Sequence, residues 1–340
     1  MKIQKILLFS LLIGLASVSF AQDWQTTFNT GLAQFNNKQY AEAAVTFNRA
    51  NQIRADVPES FYNIGLCYVQ LKRYGDAIPQ FREAIRLKPT YTMAFVQLGK
   101  AQDYNGNYFD AITTYNRGLQ IAPTDDLLYS EMGGTYLAYK KYAEAEQAYR
   151  KAIQFNPQRA SNYVNLGKTL DLLNRDNEAI PYFQKAISLD PNFSYAHRRM
   201  GDNYVLLKQF DEAIISFQKA LSLKPDDPDI HLGLGNAYYN SAQYAASIPH
   251  YQNAVKYLPN GKTANLYLGD AYRMVKRYAD AEKSYSKVEE LDPNNTDALY
   301  WLGLIYVIQN KPFEAKVKYE QLKTIDKDKA AKLLTYMPKN

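Results

Sequence analysis

One cysteine, three histidines and two tryptophans are all that 340 residues contain of those types. A lone Cys67 excludes an intramolecular disulfide framework, because a bridge needs two thiols. His197, His231 and His250 form no HExxH pattern and have no Asp/Glu/His set at ligand spacing around them, so no metal centre is expected. No GxGxxG phosphate cradle occurs, and no nucleophile–base constellation is legible. The expectation is a chain without catalytic residues or cofactor. Charge is also sparse in pattern. The net charge is +6, but both signs are interspersed and no block of like charge exists. Nucleic-acid binding wants basic residues clustered on one face, so no nucleic-acid partner is expected.

Long apolar runs are absent except at the start. Lys2 and Lys5 precede an apolar run from Ile6 to Leu15 broken only by Ser10 and Gly14. Ser19-Phe20-Ala21 then has the small-x-small form of an export cleavage site. The alternative is a membrane anchor, but the run is shorter than the roughly 20 residues a helical span needs. No cysteine lies near the site to carry a lipid. Residues 1–21 are expected to be a signal peptide, with the mature chain starting at Gln22 and no transmembrane segment. The pattern looks bacterial, which points to the periplasm or the exterior.

What is present is a period. Glycine recurs every 34 residues without slippage, at Gly31, Gly65, Gly99, Gly133, Gly167, Gly201, Gly235, Gly269 and Gly303. Twelve residues after each comes alanine, from Ala43 and Ala77 to Ala281 and Ala315, with Ser247 the one substitute. Four further on is an aromatic: Phe47, Phe81, Tyr115, Tyr149, Phe183, Phe217, Tyr251, Tyr285 and Tyr319. Pro89, Pro123, Pro157, Pro191, Pro225, Pro259 and Pro293 close seven of the units. A fixed period of this length means stacked supersecondary units. Small residues let two helices approach and the aromatics fill the wedge beside them. In the second unit Ala77, Ile78, Phe81, Ala84, Ile85 and Leu87 recur at helical spacing, and Pro89 stops that helix. Pro79, Pro181 and Pro249 are expected within the first turn of a second helix, where little hydrogen bonding is lost.

These columns resemble the tetratricopeptide repeat family, a 34-residue helix–turn–helix. The resemblance covers roughly residues 24–329. It implies an all-α, right-handed superhelical α-solenoid of nine repeats: 24–57, 58–91, 92–125, 126–159, 160–193, 194–227, 228–261, 262–295 and 296–329. The terminal units are atypical, as the ends of a solenoid facing water should be. Thr27, Thr30 and Gln34 replace apolar residues in the first, and Lys327 replaces the closing proline of the last. Asp328 is expected to cap a helix over about 328–337 whose Leu333, Leu334 and Tyr336 cover the open end.

The rarer residues read as structure. Cys67 shares its column with Ala33, Ala101, Ala237 and Ala271, so a small core residue is expected rather than a reactive thiol. His197 and His231 share theirs with Phe61, Phe95, Tyr129 and Tyr163, so both are expected as rings filling a core wedge.

In the resembled family the first helices line a concave groove. The positions three before, one after and four after the glycine would face it. They are apolar in the first two units, as Phe28, Leu32 and Phe35, then Tyr62, Leu66 and Val69. Middle units carry Lys100 and Asp103, Lys168 and Asp171, or Arg198 and Asp202. The eighth has Leu266, Asp270 and Arg273, and the ninth returns to Tyr300, Leu304 and Val307 with Trp301 adjacent. Contiguous exposed apolar surface marks interaction sites, so both ends are candidates for a protein or peptide partner, or for self-association. Arg198 and Arg199 read either as an anion grip or as ion pairs with Asp229 and Asp202. Family members that clamp a peptide carboxylate use lysine and asparagine on successive first helices. Here Phe28, Tyr62 and Val96 stand where the lysine belongs, so that activity does not transfer. The expectation is a non-enzymatic scaffold or adaptor of the cell envelope. The alternative is a glycan or small-ligand binder stacking on Tyr239, Tyr267, Tyr300 and Trp301.

Overall fold

The computed structural model describes residues 22–338, so the leader and its cleavage site lie outside the described residues. Every element among those residues is a helix. A first unit runs to Leu173 and a second starts at Asn174. The first contains α1 (22–36), α2 (Tyr40–Ile53), α3 (Pro58–Gln70), α4 (Tyr74–Leu87), α5 (Thr92–Tyr104), α6 (Tyr108–Ile121), α7 (Asp126–Ala138), α8 (Tyr142–Phe155) and α9 (Ala160–Leu172). The second contains α10 (Asp176–Leu189), α11 (Ser194–Leu206), α12 (Phe210–Leu223), α13 (Pro228–Asn240), α14 (Tyr244–Tyr257), α15 (Lys262–Met274), α16 (Tyr278–Leu291), α17 (Thr296–Ile308), α18 (Pro312–Ile325) and α19 (Lys327–Leu334). Within each unit every helix packs on the next, as consecutive antiparallel pairs do when their loops are short.

The glycine column exists because the aromatic column lies on it. A Cβ built on Gly65 would stand 2.5 Å from the Phe81 ring, and one on Gly235 would stand 2.6 Å from Tyr251. Phe81 and Tyr251 are themselves buried, with no room to retreat. The last repeat differs. Gly303 meets Leu333 of α19 instead of Tyr319, so the terminal helix supplies the plug that a second-helix aromatic supplies elsewhere.

Each turn between a first and a second helix holds one left-handed residue: Lys38, Lys72, Gly106, Lys140, Asn174, Lys208, Ala242, Lys276 and Asn310, with φ between 56° and 83°. The turn is a Schellman closure. In the second repeat the N–H of Arg73 reaches the carbonyl of Tyr68 at 2.8 Å and that of Lys72 reaches Val69 at 2.9 Å. Only one of the nine is glycine, so the closure was not visible from glycine placement.

Two expectations need correction. Pro79, Pro181 and Pro249 sit at the sixth helical position of α4, α10 and α14, in the second turn rather than the first. The carbonyls that lose a donor, four residues earlier, belong to Gly75, Asn177 and Ala245, all exposed residues that solvent reaches, so the prolines are tolerated there. The terminal helix is capped by Asp326, not Asp328, and ends at Leu334. Asp326 closes α18 and its carboxylate accepts from the Lys329 N–H at 3.0 Å, so α19 starts immediately. Of the three proposed covering residues only Leu333 is buried. Ala330 joins it, while Leu334 and Tyr336 are exposed. Lys329 Nζ then ties α19 to α17 through Thr296 and Asp297, both at 2.7 Å.

Candidate partner-binding surfaces

In the first unit the candidates of α1 and α3 are half-buried and already in contact with the core. Phe28, Leu32 and Phe35 rest on Phe47, Ile64 and their neighbours. Trp24 stacks on Phe28 at 5.0 Å, Arg54 lies over Trp24 at 5.7 Å, and Phe35 meets Tyr40 edge-on at 5.2 Å. Tyr62 leans on Phe81 at 5.8 Å and on Tyr91 at 5.0 Å, with Leu66 and Val69 packed on the same core. Burial pushes the Tyr62 hydroxyl above the usual phenol range and takes Tyr91 up to about 12. Both stay neutral donors at any physiological pH. Trp24, Tyr40 and Tyr91 extend this aromatic surface and were not among the sequence candidates. They lie outside the three positions counted from each glycine, although their ring type alone was a signal.

The charged positions beyond this patch are paired along the stack. Lys100 Nζ is 2.9 Å from Glu131 of α7, and Thr135 donates to Asp103 at 2.9 Å. Burial holds the Asp103 carboxyl above its ordinary range despite that hydrogen bond.

In the second unit the arginine pair is satisfied by carboxylates. Arg198 reaches Asp229 at 3.3 Å and lies over the Tyr195 ring, and Arg199 reaches Asp202 at 3.1 Å. An anion grip would have to displace them. Farther along, Tyr251 donates to Asn236 at 2.8 Å and Tyr285 to Asp270 at 2.6 Å. Arg273 lies 3.8 Å over Trp301, which meets Tyr300 edge-on at 4.9 Å. Tyr300, Leu304 and Val307 pack against Leu322, Ala330 and Leu333, so the ninth-repeat apolar set is partly the seat of α19. The four rings considered for stacking also have neighbours: Tyr239 meets Tyr244 at 5.1 Å, and Tyr267 meets Tyr251 at 6.0 Å.

The rare residues have structural places. Cys67 is fully buried and its thiol is pushed up to about 12 by burial, which leaves it unreactive. His197 and His231 are buried with Nε2 at 3.1 and 2.9 Å from the carbonyls of Pro191 and Pro225. A carbonyl only accepts, so Nε2 carries the proton. Tyr163 and Asn265, in the same column, donate to Pro157 and Pro259. This column therefore pins the turn between repeats besides filling the wedge. Among the described residues no group of three His, Cys, Asp or Glu side chains is placed to hold a metal ion, and no helix is long and apolar enough to cross a membrane.

Comparison with known proteins decides the family. A model described as "TPR repeat" matches residues 201–241. Models described as "Tetratricopeptide repeat" match 58–91, 128–159, 160–193, 232–296 and 275–315. Together they span more than half of the chain. The chain belongs to the tetratricopeptide repeat family. No curated protein matches it. Among solved structures, YrrB, titled a TPR protein with an unusual peptide-binding site, is 26% identical over 56% of this chain and 99% of its own, with a TM-score of 0.51. A tetratricopeptide repeat protein from Parabacteroides merdae is 16% identical over 72% of this chain and 98% of its own, TM-score 0.54. Pseudomonas aeruginosa pilF is 20% identical over 61% and 94%, TM-score 0.54. The last two likenesses concern the fold alone. Tetratricopeptide repeats present extended surfaces on which proteins and peptides are held, and this chain is built as such an interaction scaffold.

Proposed function

We propose that this tetratricopeptide repeat protein is an exported, non-enzymatic adaptor of the cell envelope that holds a peptide or protein segment against α1 and α3. The observation that carries the reading is the aromatic and aliphatic patch of Phe28, Leu32, Phe35, Tyr62, Leu66 and Val69, extended by Trp24 and Tyr91. These side chains are pre-ordered by their contacts with the core, so a partner would meet anchors whose rotamers are already fixed. The Lys100–Glu131 and Asp103–Thr135 pairs beside them would set register rather than supply most of the affinity. The peptide-binding site named for YrrB supports a peptide as the partner class. Envelope placement rests on the leader alone.

Crosslinking in native envelopes followed by affinity capture names the partner, and capture is then repeated with Leu66→Glu/Val69→Glu. The expected result is loss of that partner with helicity retained. Equal capture by the variant sinks the assignment to this patch. The mass of the mature protein is expected to correspond to a chain starting at Gln22, and a retained leader would overturn the envelope placement.

A further inference from the structure

A cavity of about 630 Å³ opens between the second helices α4 and α6, over α5. It lies on different helices from the patch of α1 and α3. The repeat supplies its own internal control for why it exists. Three residues after the glycine stand Tyr68, Tyr136, Tyr204, Tyr238, Tyr272 and Tyr306 in six repeats, whereas the first has Gln34, the fifth Leu170 and the third Gln102. In the second unit the equivalent rings fill the space beside the preceding second helix. There Gln218 donates to Tyr238 at 3.4 Å and Gln252 to Tyr272 at 2.8 Å. Arg82 is the residue in register with Gln218 and Gln252, so a phenol should face it. Instead Gln102 is shorter and its carbonyl accepts from buried Thr114 at 2.7 Å. The ring's volume is left open, and Arg82 lines it.

The lining has two chemistries. Phe95, Leu98, Ile85 and Pro89 give an apolar floor and wall. Arg82, Arg86 and Arg117 stand around it, against the single carboxylate of Asp110. Glu83 holds Arg86 at 2.6 Å. Among the described residues Arg82 and Arg117 have no ion-pair partner, and Arg117 lies 5.8 Å over the Phe95 ring, above the apolar floor. Guanidinium groups match carboxylate, phosphate and sulfonate oxygens by paired N–H donors. The volume falls in the range of small-ligand sites.

We propose that this cleft binds a small organic anion with an apolar body: its anionic head between Arg82 and Arg117, its body against Phe95 and Leu98 in the space that Gln102 leaves. The probe is 8-anilinonaphthalene-1-sulfonate, which has both halves, followed by fluorescence titration. Wild type is expected to bind it saturably. Arg82→Ala/Arg117→Ala should weaken that binding about tenfold or more. Gln102→Tyr/Thr114→Ser copies the Tyr204/Ser216 and Tyr272/Ser284 pairs of other repeats, so it should fill the cleft, melt no lower than the parent and lose the site. The neutral analogue N-phenyl-1-naphthylamine should bind at least tenfold more weakly than the sulfonate. The proposal is overturned if wild type gives no saturable signal, or if the arginine variant binds within twofold of it. It also fails if the tyrosine variant keeps the site with native helicity, or if the neutral analogue binds as well.

Discussion

The hydroxyl of Tyr285 donates to Oδ1 of Asp270 at 2.6 Å, from a second helix to the face of the first helix it packs on. Tyr251 does the same to Asn236 at 2.8 Å. In the first two repeats the corresponding pairs are Phe47 with Leu32 and Phe81 with Leu66, which have neither donor nor acceptor. In these four repeats the choice of phenylalanine or tyrosine in the buried column matches the polarity of the residue above it, whereas Phe183 stands with Lys168 and Phe217 with Asp202. Where the buried ring ends in a hydroxyl, a polar residue must receive it, since an unpaired buried hydroxyl costs about 1–3 kcal/mol.

Tyr285→Phe should therefore destabilise the protein by about 1–3 kcal/mol at pH 7, because it leaves a mostly buried carboxylate with only the longer Arg273 contact at 3.5 Å. Burial already raises the Asp270 pKa, against the opposing Tyr285 and Arg273 interactions. A raised carboxylate pKa means that the unfolded chain gives up its proton first. Asp270 thus favours folding below its unfolded pKa, and that contribution is lost as pH rises through the folded value. Removing Tyr285 raises the folded value further. The cost of the substitution should grow from pH 4 to pH 7 in urea melts. A cost that is flat with pH would remove Asp270 from the explanation.

The repeat columns were legible because packing residues recur at one period, and Gly65 with Phe81 reads the same as Gly235 with Tyr251. The hydrogen bonds of Tyr285 and Tyr251 were not, because the partners are 15 residues apart and only the fold brings them together. Asp326 and Asp328 are both plausible caps in sequence. What separates them is that Leu333 must reach Gly303, which only the packed structure reveals. Pro79 falls in the second turn because α4 starts at Tyr74, three residues before Ala77, the first alanine of the repeat column. At the surface, the places of Phe28 and Tyr62 follow from register, whereas their contacts with Trp24 and Tyr91 depend on how neighbouring segments meet.

Stability should depend on position in the stack. Tyr149 is buried against its repeat partners, and Tyr149→Ala should cost roughly 3–5 kcal/mol, as deleting a buried aromatic does. Tyr336 is exposed beyond the last helix, and Tyr336→Ala should stay within about 0.5 kcal/mol. Leu333→Ala should release α19 locally, seen as faster amide exchange in α18 and α19 before α13 changes. Simultaneous exchange across the second unit would contradict a frayable end.

The left-handed turn residues allow a stabilising change. Ala242 has φ 62° and a Cβ that the left-handed region disfavours by about 1–2 kcal/mol. Ala242→Gly removes that strain but frees the unfolded chain, which returns part of the gain. The net expectation is about 0.5–1 kcal/mol of added stability. Gly106→Ala, at φ 83°, should lose a similar amount. Thermal melts of both variants check the sign, and a destabilised Ala242→Gly would show that the turn carries no strain.

Partner affinity should separate anchors from orienting charges. Apolar anchors at the centre of a contact carry about 2 kcal/mol or more each. Leu66→Glu/Val69→Glu should lower affinity about 30-fold or more, by 1.4 kcal/mol per decade, chiefly by faster dissociation. Phe35→Ala and Tyr62→Ala should also weaken binding, but with a loss of stability, since Phe35 meets Tyr40 and Tyr62 meets Phe81. Lys100→Ala breaks the pair with Glu131 and should act on association rate and its salt dependence more than on residence time. Surface plasmon resonance at two salt concentrations, with the captured partner immobilised, distinguishes these effects. If Lys100→Ala slows association no more at low salt than at high salt, the charged positions do not steer the partner. If Leu66→Glu/Val69→Glu then binds as tightly as the parent, the contact lies elsewhere, and Tyr300, Trp301 and Leu304 beside α19 are the next surface to substitute.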